Sequence, residues 1–270
     1  MKVLFFGDVV GKFAREKLLK NINLIKNFFC ADLTIVNIEN SASGRGVTPN
    51  IADEFLNNGA DVLTSGNHIW DQRIILKYIS NQPRLLRPIN MIENSPGYGR
   101  VELDVNSEKI LIINAMTNLF MPSSSSVFES IENEISKIKL GYDYKAIIID
   151  LHGEATSEKM ALAMHFDGKV SMIVGTHTHV PTSDERILEK GTAYQSDAGM
   201  CGDYDSVIGM EKKSAIQKFF NKGQKLNVAM GEVTLCGLLV DLDSKTGLAK
   251  SISSIRLGGL LKSSHNFDLI

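Results

Sequence analysis

Five apolar runs in this 270-residue chain are each followed at once by side chains able to bind a metal or move a proton. Asp8 follows Val3–Phe6, Glu39-Asn40 follows Leu33–Ile38, and Asn67-His68 follows Asp61–Thr64. His152 follows Ala146–Leu151, and His177 and His179 follow Val170–Val174. Each has a bland explanation. Asp8 or Asn67 could cap a helix, Glu39 could be a solvated loop carboxylate, and a lone histidine is commonly a satisfied core residue. Those explanations must be repeated at every strand end, whereas one site at the carboxyl ends of strands accounts for all of them. His165, within Ala161–Phe166, and His265, in a polar tail, fall outside the pattern. The first is expected to be a core histidine and the second to have no chemical role.

The chemistry follows from the residue types. Imidazole, carboxylate and carboxamide groups with no cysteine among them make a mixed nitrogen–oxygen ligand set, which suits iron, manganese or zinc better than calcium or a thiolate centre. Gly175-Thr176-His177-Thr178-His179 adds geometry. If this segment is extended, residues two apart face the same way about 7 Å apart, at roughly 3.3 Å per residue. Two imidazoles so placed suit two ions about 3.5–4 Å apart, one ring to each, with a single zinc as the lesser alternative.

The elements that must position these groups alternate. Val3–Phe6, a helix over Arg15–Phe29, Leu33–Ile38, a helix over Ile51–Asn58 opened by Thr48-Pro49, Asp61–Thr64 and a helix over Asp71–Ile79 imply parallel strands with crossover helices. Val101–Val105 and Lys109–Asn114 flank Asn106-Ser107-Glu108 as a hairpin. Helices over Phe128–Leu140 and Ser157–Phe166 bracket the strand Ala146–Leu151, and Val170–Val174 is the next strand. Gly231–Asp241 and Lys250–Ile255 read as a late antiparallel pair, and Ser123–Ser126 as a flexible loop tip. The fold class is α/β, with 1–270 as one domain.

Composition narrows the function classes. With 43% hydrophobic residues the chain can bury a large core. A net charge of −2 without blocks of like charge gives no footprint of a dedicated nucleic-acid surface. Cys30, Cys201 and Cys236 have neither disulfide-framework nor zinc-ribbon spacing, which suits a reducing compartment. No apolar stretch approaches the length of a membrane span, so a cytoplasmic protein is expected, with a homo-oligomer left open. Gly7–Phe13 superficially looks like a phosphate-binding P-loop, but it has three residues between its glycines where that motif needs four, and Phe follows Lys12.

In order, Gly7-Asp8, Glu39-Asn40, Gly66-Asn67-His68, His152-Gly153 and Gly175–His179 resemble the motifs of the calcineurin-like metallophosphoesterases. Val10 stands where the general superfamily has a histidine ligand, and Glu39 where it has a bridging aspartate. Both departures, with Ile38–Ala42, Thr64–His68, Asp150–Glu154 and Ser196–Met200, are similar to the bacterial YmdB-type branch of 2′,3′-cyclic-nucleotide 2′-phosphodiesterases. The resemblance implies a four-layer α/β/β/α sandwich of two mixed sheets. It also implies one ion on Asp8, Asn40 and His179, a second on Asn67, His152 and His177, and Glu39 bridging them. The ions would be iron or manganese, with zinc possible. His68 is left as general acid while a metal-bridging hydroxide attacks the phosphodiester, and opening of a 2′,3′-cyclic nucleotide would give a 3′-nucleotide.

Ser43-Gly44-Arg45-Gly46 follows the second ligand pair. Arg45 either contacts substrate phosphate or belongs to an ordinary glycine-rich turn, and the sequence favours neither. Two other functions stay open: a phosphomonoesterase or nucleotidase on the same scaffold, and a regulator that uses the metal site to bind a nucleotide or a protein.

Overall fold

The computed structural model describes residues 1–92, 94–122, 124–220 and 225–270. Its first strand, β1 (Lys2–Phe6), runs into the two-residue β2 (Asp8–Val9), and α1 (Gly11–Phe29) follows. Next come β3 (Leu33–Asn37), α2 (Pro49–Asn57), β4 (Val62–Thr64) and α3 (Ile75–Ile79). A hairpin of β5 (Arg100–Val105) and β6 (Glu108–Met116) leads through α4 (Val127–Ile135) to β7 (Ala146–His152), α5 (Thr156–His165) and β8 (Met172–Thr176). The chain ends with β9 (Arg186–Ile187), β10 (Ala193–Gln195), β11 (Met200–Asp203), α6 (Lys212–Phe220), β12 (Val233–Leu242) and β13 (Ala249–Leu257).

Two mixed sheets result. One has the order β2-β11-β12-β1-β3-β4, with β13 added on β12; the other runs β5-β6-β7-β8-β10-β9. Successive residues of a strand point to opposite faces, and here both faces are apolar. Val3, Phe5, Leu33 and Ile35 of the first sheet meet Ile110, Ile112, Ile148 and Met172 of the second. Leu4, Phe6 and Val36 point the other way, onto Leu18, Ile22 and Ile25 of α1 and Phe55 of α2. On the far side Leu111, Ile113, Ile147 and Ile149 are covered by Val127 and Ile131 of α4 and Leu162 of α5. Three apolar seams therefore separate four layers, helices outside and sheets within.

The parallel pairs β1/β3, β3/β4, β6/β7 and β7/β8 aim their carboxyl ends at one edge of this sandwich. Among the described residues no helix is long and apolar enough to cross a membrane.

Several boundaries differ from the sequence reading. The first helix starts at Gly11 rather than Arg15, because Gly11 takes φ +77° and donates its N–H to Asn40 O (3.0 Å), a tertiary contact that turns the chain early. The helix expected over Asp71–Ile79 begins only at Ile75, since the preceding residues form turns that hold Asp71 against His68. The helix expected over Phe128–Leu140 stops at Ile135, where a tight turn around Gly141 draws the chain to Tyr144. Asn106 and Ser107, both at positive φ, make the expected hairpin turn.

Ser123 lies outside the described residues. The rest of the run read as a flexible tip is tied down: Ser124 Oγ accepts from Asn118 Nδ2 (3.0 Å), and Ser126 Oγ caps α4 through Glu129 N (3.3 Å). Short β2, β9, β10 and β11 and the exposed α6 had no readable periodicity.

Candidate active site

Each residue singled out at a strand end reaches the same edge of the sandwich. Asp8 is fixed within β2, paired in parallel with Met200 of β11, and is completely buried. It caps nothing, since the residue preceding α1 is Val10. Glu39 and Asn40 follow β3 and are buried, so the solvated-carboxylate reading of Glu39 is excluded. Asn67 and His68 lie in the turn after β4, His152 ends β7, and His177 and His179 follow β8. Gly66 is required here: a Cβ at this position would overlap the His152 ring and the Glu39 carboxylate.

His152 Nε2 is the hub of one half of the cluster. It lies 3.1 Å from Glu39 Oε1, 3.1 Å from Asn67 Oδ1 and 3.1 Å from His177 Nδ1. The proton on the ring can be placed. Thr176 donates its hydroxyl proton to Asp150 Oδ1 (2.7 Å), so it accepts from His152 Nδ1 (2.9 Å), and Nε2 is left with a bare lone pair. His177 Nε2 faces Glu154 Oε2 at 3.4 Å, and with a proton on Nε2 the Nδ1 lone pair is free for a ligand role.

His179 is the corresponding residue in the other half. Its Nδ1 donates to the Ile208 carbonyl (2.9 Å), and its Nε2 faces Asn40 Oδ1 at 3.3 Å and Asp8 Oδ1 at 3.9 Å. Asn40 Nδ2 is committed to Gly44 O (3.1 Å), which fixes the carboxamide oxygen toward the ring. Two further oxygens, Asp8 Oδ1 and Glu39 Oε1, are buried with no hydrogen-bond partner.

Lone pairs thus converge from seven side chains in two groups. Unpaired buried acceptors are costly, and acceptors facing one another are stabilised by cations at their centre. Glu39, His152 and His177 bring ligand atoms within 4.8 Å of one another. The residues therefore fit divalent metal by donor chemistry and by their unsatisfied atoms.

Burial dominates the electrostatics. It raises the Asp8 carboxyl to about 7 and the Glu39 carboxyl in the same direction, and it lowers His152 to about 4. His177 falls to about 3, through burial first and then the neighbouring His152 and His179. Both rings are consequently neutral at physiological pH, the form in which imidazole ligates metal.

The sequence reading needs two corrections here. His177 and His179 are not in an extended segment: β8 ends at Thr176, and the two take φ +103° and +66°. This turn, rather than the alternation of a strand, sends one ring to His152 and the other to Asn40. His165 is no core residue either. Its side chain is half exposed, 3.4 Å from Glu132 Oε2, and packs edge-on against Phe128 and Phe166.

Supporting residues were missed. Asn37 accepts the Glu39 N–H (3.1 Å) and donates to Asp150 Oδ2 (3.0 Å), locking β3 to β7 beneath the cluster. Lys159 of α5, buried, donates to Thr176 O (2.8 Å) and pairs with buried Asp197 at 3.2 Å. Asp197 in turn accepts from Thr178 N (3.0 Å) and Gly199 N (2.9 Å), so it holds the turn that carries both histidines. A charged residue within an otherwise apolar helical face was the one sequence signal for Lys159.

A cavity of 330 Å³ opens onto the cluster, lined by Glu39, Asn40, His68, His177 and His179 and walled by apolar Ile208, Met210 and Leu226. His68 accepts a backbone constraint through its own N–H, donated to Glu39 Oε2 (3.2 Å), and its Nδ1 lies 2.9 Å from Asp71 Oδ2. The ring is thus oriented at the cavity wall but takes no part in either lone-pair group. Arg45 lines the same cavity from the glycine-rich loop.

Comparison with known proteins shows the family and the fold. A family model described as YmdB-like protein matches residues 4–255. The 2′,3′-cyclic-nucleotide 2′-phosphodiesterase of Bacillus subtilis (strain 168) is 40% identical over 268 residues, covering 99% of both chains. A crystal structure described as a novel phosphatase from Mycoplasma pneumoniae matches with a TM-score of 0.88 at 35% identity, over 96% of this chain and 93% of that one. The 5′-nucleotidase precursor from Thermus thermophilus shares the fold, with a TM-score of 0.52 at 15% identity over 95% of this chain and 54% of its own.

Proposed function

The chain belongs to the YmdB-like family, and from that premise we propose that it is a dinuclear-metal phosphodiesterase that opens 2′,3′-cyclic nucleotides to 3′-nucleotides. The observation that carries the reading is the convergence of unpaired acceptors, above all the buried Glu39 Oε1 and Asp8 Oδ1 beside bare imidazole nitrogens. Asp8, Asn40 and His179 would hold one ion, and Asn67, His152 and His177 the other. Glu39, 3.1 Å from His152, would contribute to both. Iron or manganese suits these donors, and zinc is compatible. When bound, the ions supply positive charge that polarises the phosphoryl oxygens and acidifies water.

The chain's own residues supply the rest. Water adds to phosphorus and loses a proton to solvent, the P–O2′ bond breaks, and the departing 2′-oxygen takes its proton from His68, which solvent then reprotonates. Asp71 holds the His68 ring in orientation for this, at 2.9 Å. Such proton donation contributes about 10²–10⁴ in rate. Arg45 contacts a phosphate oxygen, and the apolar wall of Ile208, Met210 and Leu226 receives the nucleobase. Residues 1–270 act as one catalytic domain, in the reducing cytoplasm that three unpaired cysteines suit.

A substrate panel tests the proposal: 2′,3′-cAMP, 3′,5′-cAMP, AMP and bis-p-nitrophenyl phosphate with the manganese- or iron-loaded protein. Preferred turnover of 2′,3′-cAMP to 3′-AMP is expected. Preferred turnover of AMP would identify a phosphomonoesterase, and nucleotide binding without turnover of any ester would identify a regulator.

A further inference from the structure

The cavity over the ligand cluster does not end at the glycine-rich loop. A second compartment of 370 Å³ adjoins it, and the two share Gly44, Arg45, Met210 and Leu226 as a common wall. Their charges differ. The first contains Glu39 and Glu154, whereas the second is lined by Arg45, Lys218 and Lys225, with no carboxylate among the described residues. Among the described residues the ion pair of this region, Lys212–Asp205, involves none of these three cations.

The loop between the compartments is built firmly. Ala42 N donates to Gly46 O (2.9 Å), Gly44 N to Asn40 O (3.1 Å), and Gln72 Nε2 to Arg45 O (3.1 Å). Asn40 Nδ2 also donates to Gly44 O, so the shared wall is tied directly to the ligand cluster.

Either compartment alone falls in the range of about 300–1,000 Å³ typical of a small-ligand site. A cyclic mononucleotide needs only the first. The 5′-oxygen of a ribose lies at the end of the sugar away from the 2′ and 3′ oxygens. A nucleotide with its cyclic phosphate on the cluster and its base on the apolar wall therefore directs its 5′-oxygen out of the first compartment. Three cations that repel one another are stabilised by an anion placed among them.

We propose that the Arg45–Lys218–Lys225 compartment is a subsite for a second phosphate, attached to the 5′-oxygen of the nucleoside whose cyclic phosphate is opened. The preferred substrate is then a 5′-phosphorylated nucleoside 2′,3′-cyclic phosphate, or an oligoribonucleotide end in which the last internucleotide phosphate fills the same place. A two-phosphate subsite requires no extended basic surface and agrees with the net charge of −2. The substrate class rests on the phosphodiesterase reading above; the phosphate subsite itself is open to direct binding measurements.

Three substrates decide it: 2′,3′-cAMP, its 5′-phosphorylated form, and the dinucleotide ApA ending in a 2′,3′-cyclic phosphate. Both phosphate-bearing substrates are expected to exceed 2′,3′-cAMP in kcat/KM by about tenfold, an advantage that salt erodes. The double variant Lys218→Ala/Lys225→Ala should lose that advantage while turning over 2′,3′-cAMP within about twofold of the parent, since neither lysine contacts the ligand cluster. An advantage for the 5′-phosphorylated mononucleotide alone supports the subsite and assigns it to free nucleotides. An advantage for the dinucleotide alone that the double variant loses assigns the subsite to oligoribonucleotide ends, whereas any advantage that survives in the double variant, or equal turnover of all three, overturns it. If no cyclic phosphate is hydrolysed, the activity reading fails separately, and calorimetry decides the subsite. Adenosine 3′,5′-bisphosphate should bind about tenfold tighter than 3′-AMP to the parent and equally to the double variant. Equal binding to the parent contradicts the proposal.

Discussion

His179 Nε2 lies 3.3 Å from Asn40 Oδ1, and neither atom has a proton to offer the other. The ring's Nδ1 proton goes to Ile208 O, and the Asn40 amide protons point toward Gly44 O. The pair is therefore built for a shared electrophile. Asn40→Ala should weaken uptake of one of the two ions by at least about 10–100-fold, read by Mn²⁺ titration. Asn40→Asp, which keeps an oxygen in place, should retain it. Unchanged affinity in Asn40→Ala would remove Asn40 from the ligand set.

His68 touches the cluster only through its backbone, which donates to Glu39 Oε2. Accordingly His68→Ala should leave metal content unchanged while lowering turnover of 2′,3′-cAMP by about 10²–10⁴. The loss should shrink on bis-p-nitrophenyl phosphate, whose leaving group needs no proton. Equal losses on both substrates would count against an acid role.

The buried Lys159–Asp197 pair, 3.2 Å apart, secures the turn between β8 and His179. Lys159→Ala strands a buried carboxylate, and breaking such a pair costs about 3–5 kcal/mol. Thermal denaturation should register this as a large fall in Tm. A melting temperature within a degree or two of the parent would show that the pair does not hold the turn.

Much of this was legible in the sequence, for a physical reason. Strands such as Ala146–His152, apolar on both faces, can exist only under cover on both sides, so their apolar runs reveal the layers as well as the strands. Their polar ends, Asp8, Glu39, Asn67 and His152, stand out because nothing in the packing calls for them. What escaped was set by tertiary contact. The positive φ values of His177 and His179 depend on Asp197 and Lys159, which are remote in sequence. The half-exposed position of His165 depends on which flank of α5 faces β7, and its short apolar run is compatible with either. The cationic compartment joins residues from the loop after β3 with others from around α6, a pairing no local pattern announces.

Proton release on metal uptake gives a pH test. In the metal-free protein burial holds Asp8 at about 7, while His152 and His177 sit at about 4 and 3. Between pH 5 and 7 the proton competing with the metal is thus on carboxyl groups rather than on the rings. Affinity should rise about tenfold per pH unit for each proton displaced and level off above about pH 7. The signs for folding stability oppose. Each ring, neutral when folded, costs stability as pH falls from 6.5 toward its folded value, whereas Asp8 and Asp150, raised to about 7, add stability as pH falls from 7. NMR of the metal-free rings checks the assignment: His152 and His177 should show no titration between pH 7.5 and 5. A midpoint near 6.5 in either would contradict it.

The central claim is a pair of ions joined through Glu39, and the most direct measurement is metal content after anaerobic reconstitution with Mn²⁺ or Fe²⁺, followed by removal of loose metal. About two ions per chain are expected for the parent, with Glu39→Gln retaining markedly less. Saturation of the parent at one ion per chain, or below it, would contradict the account.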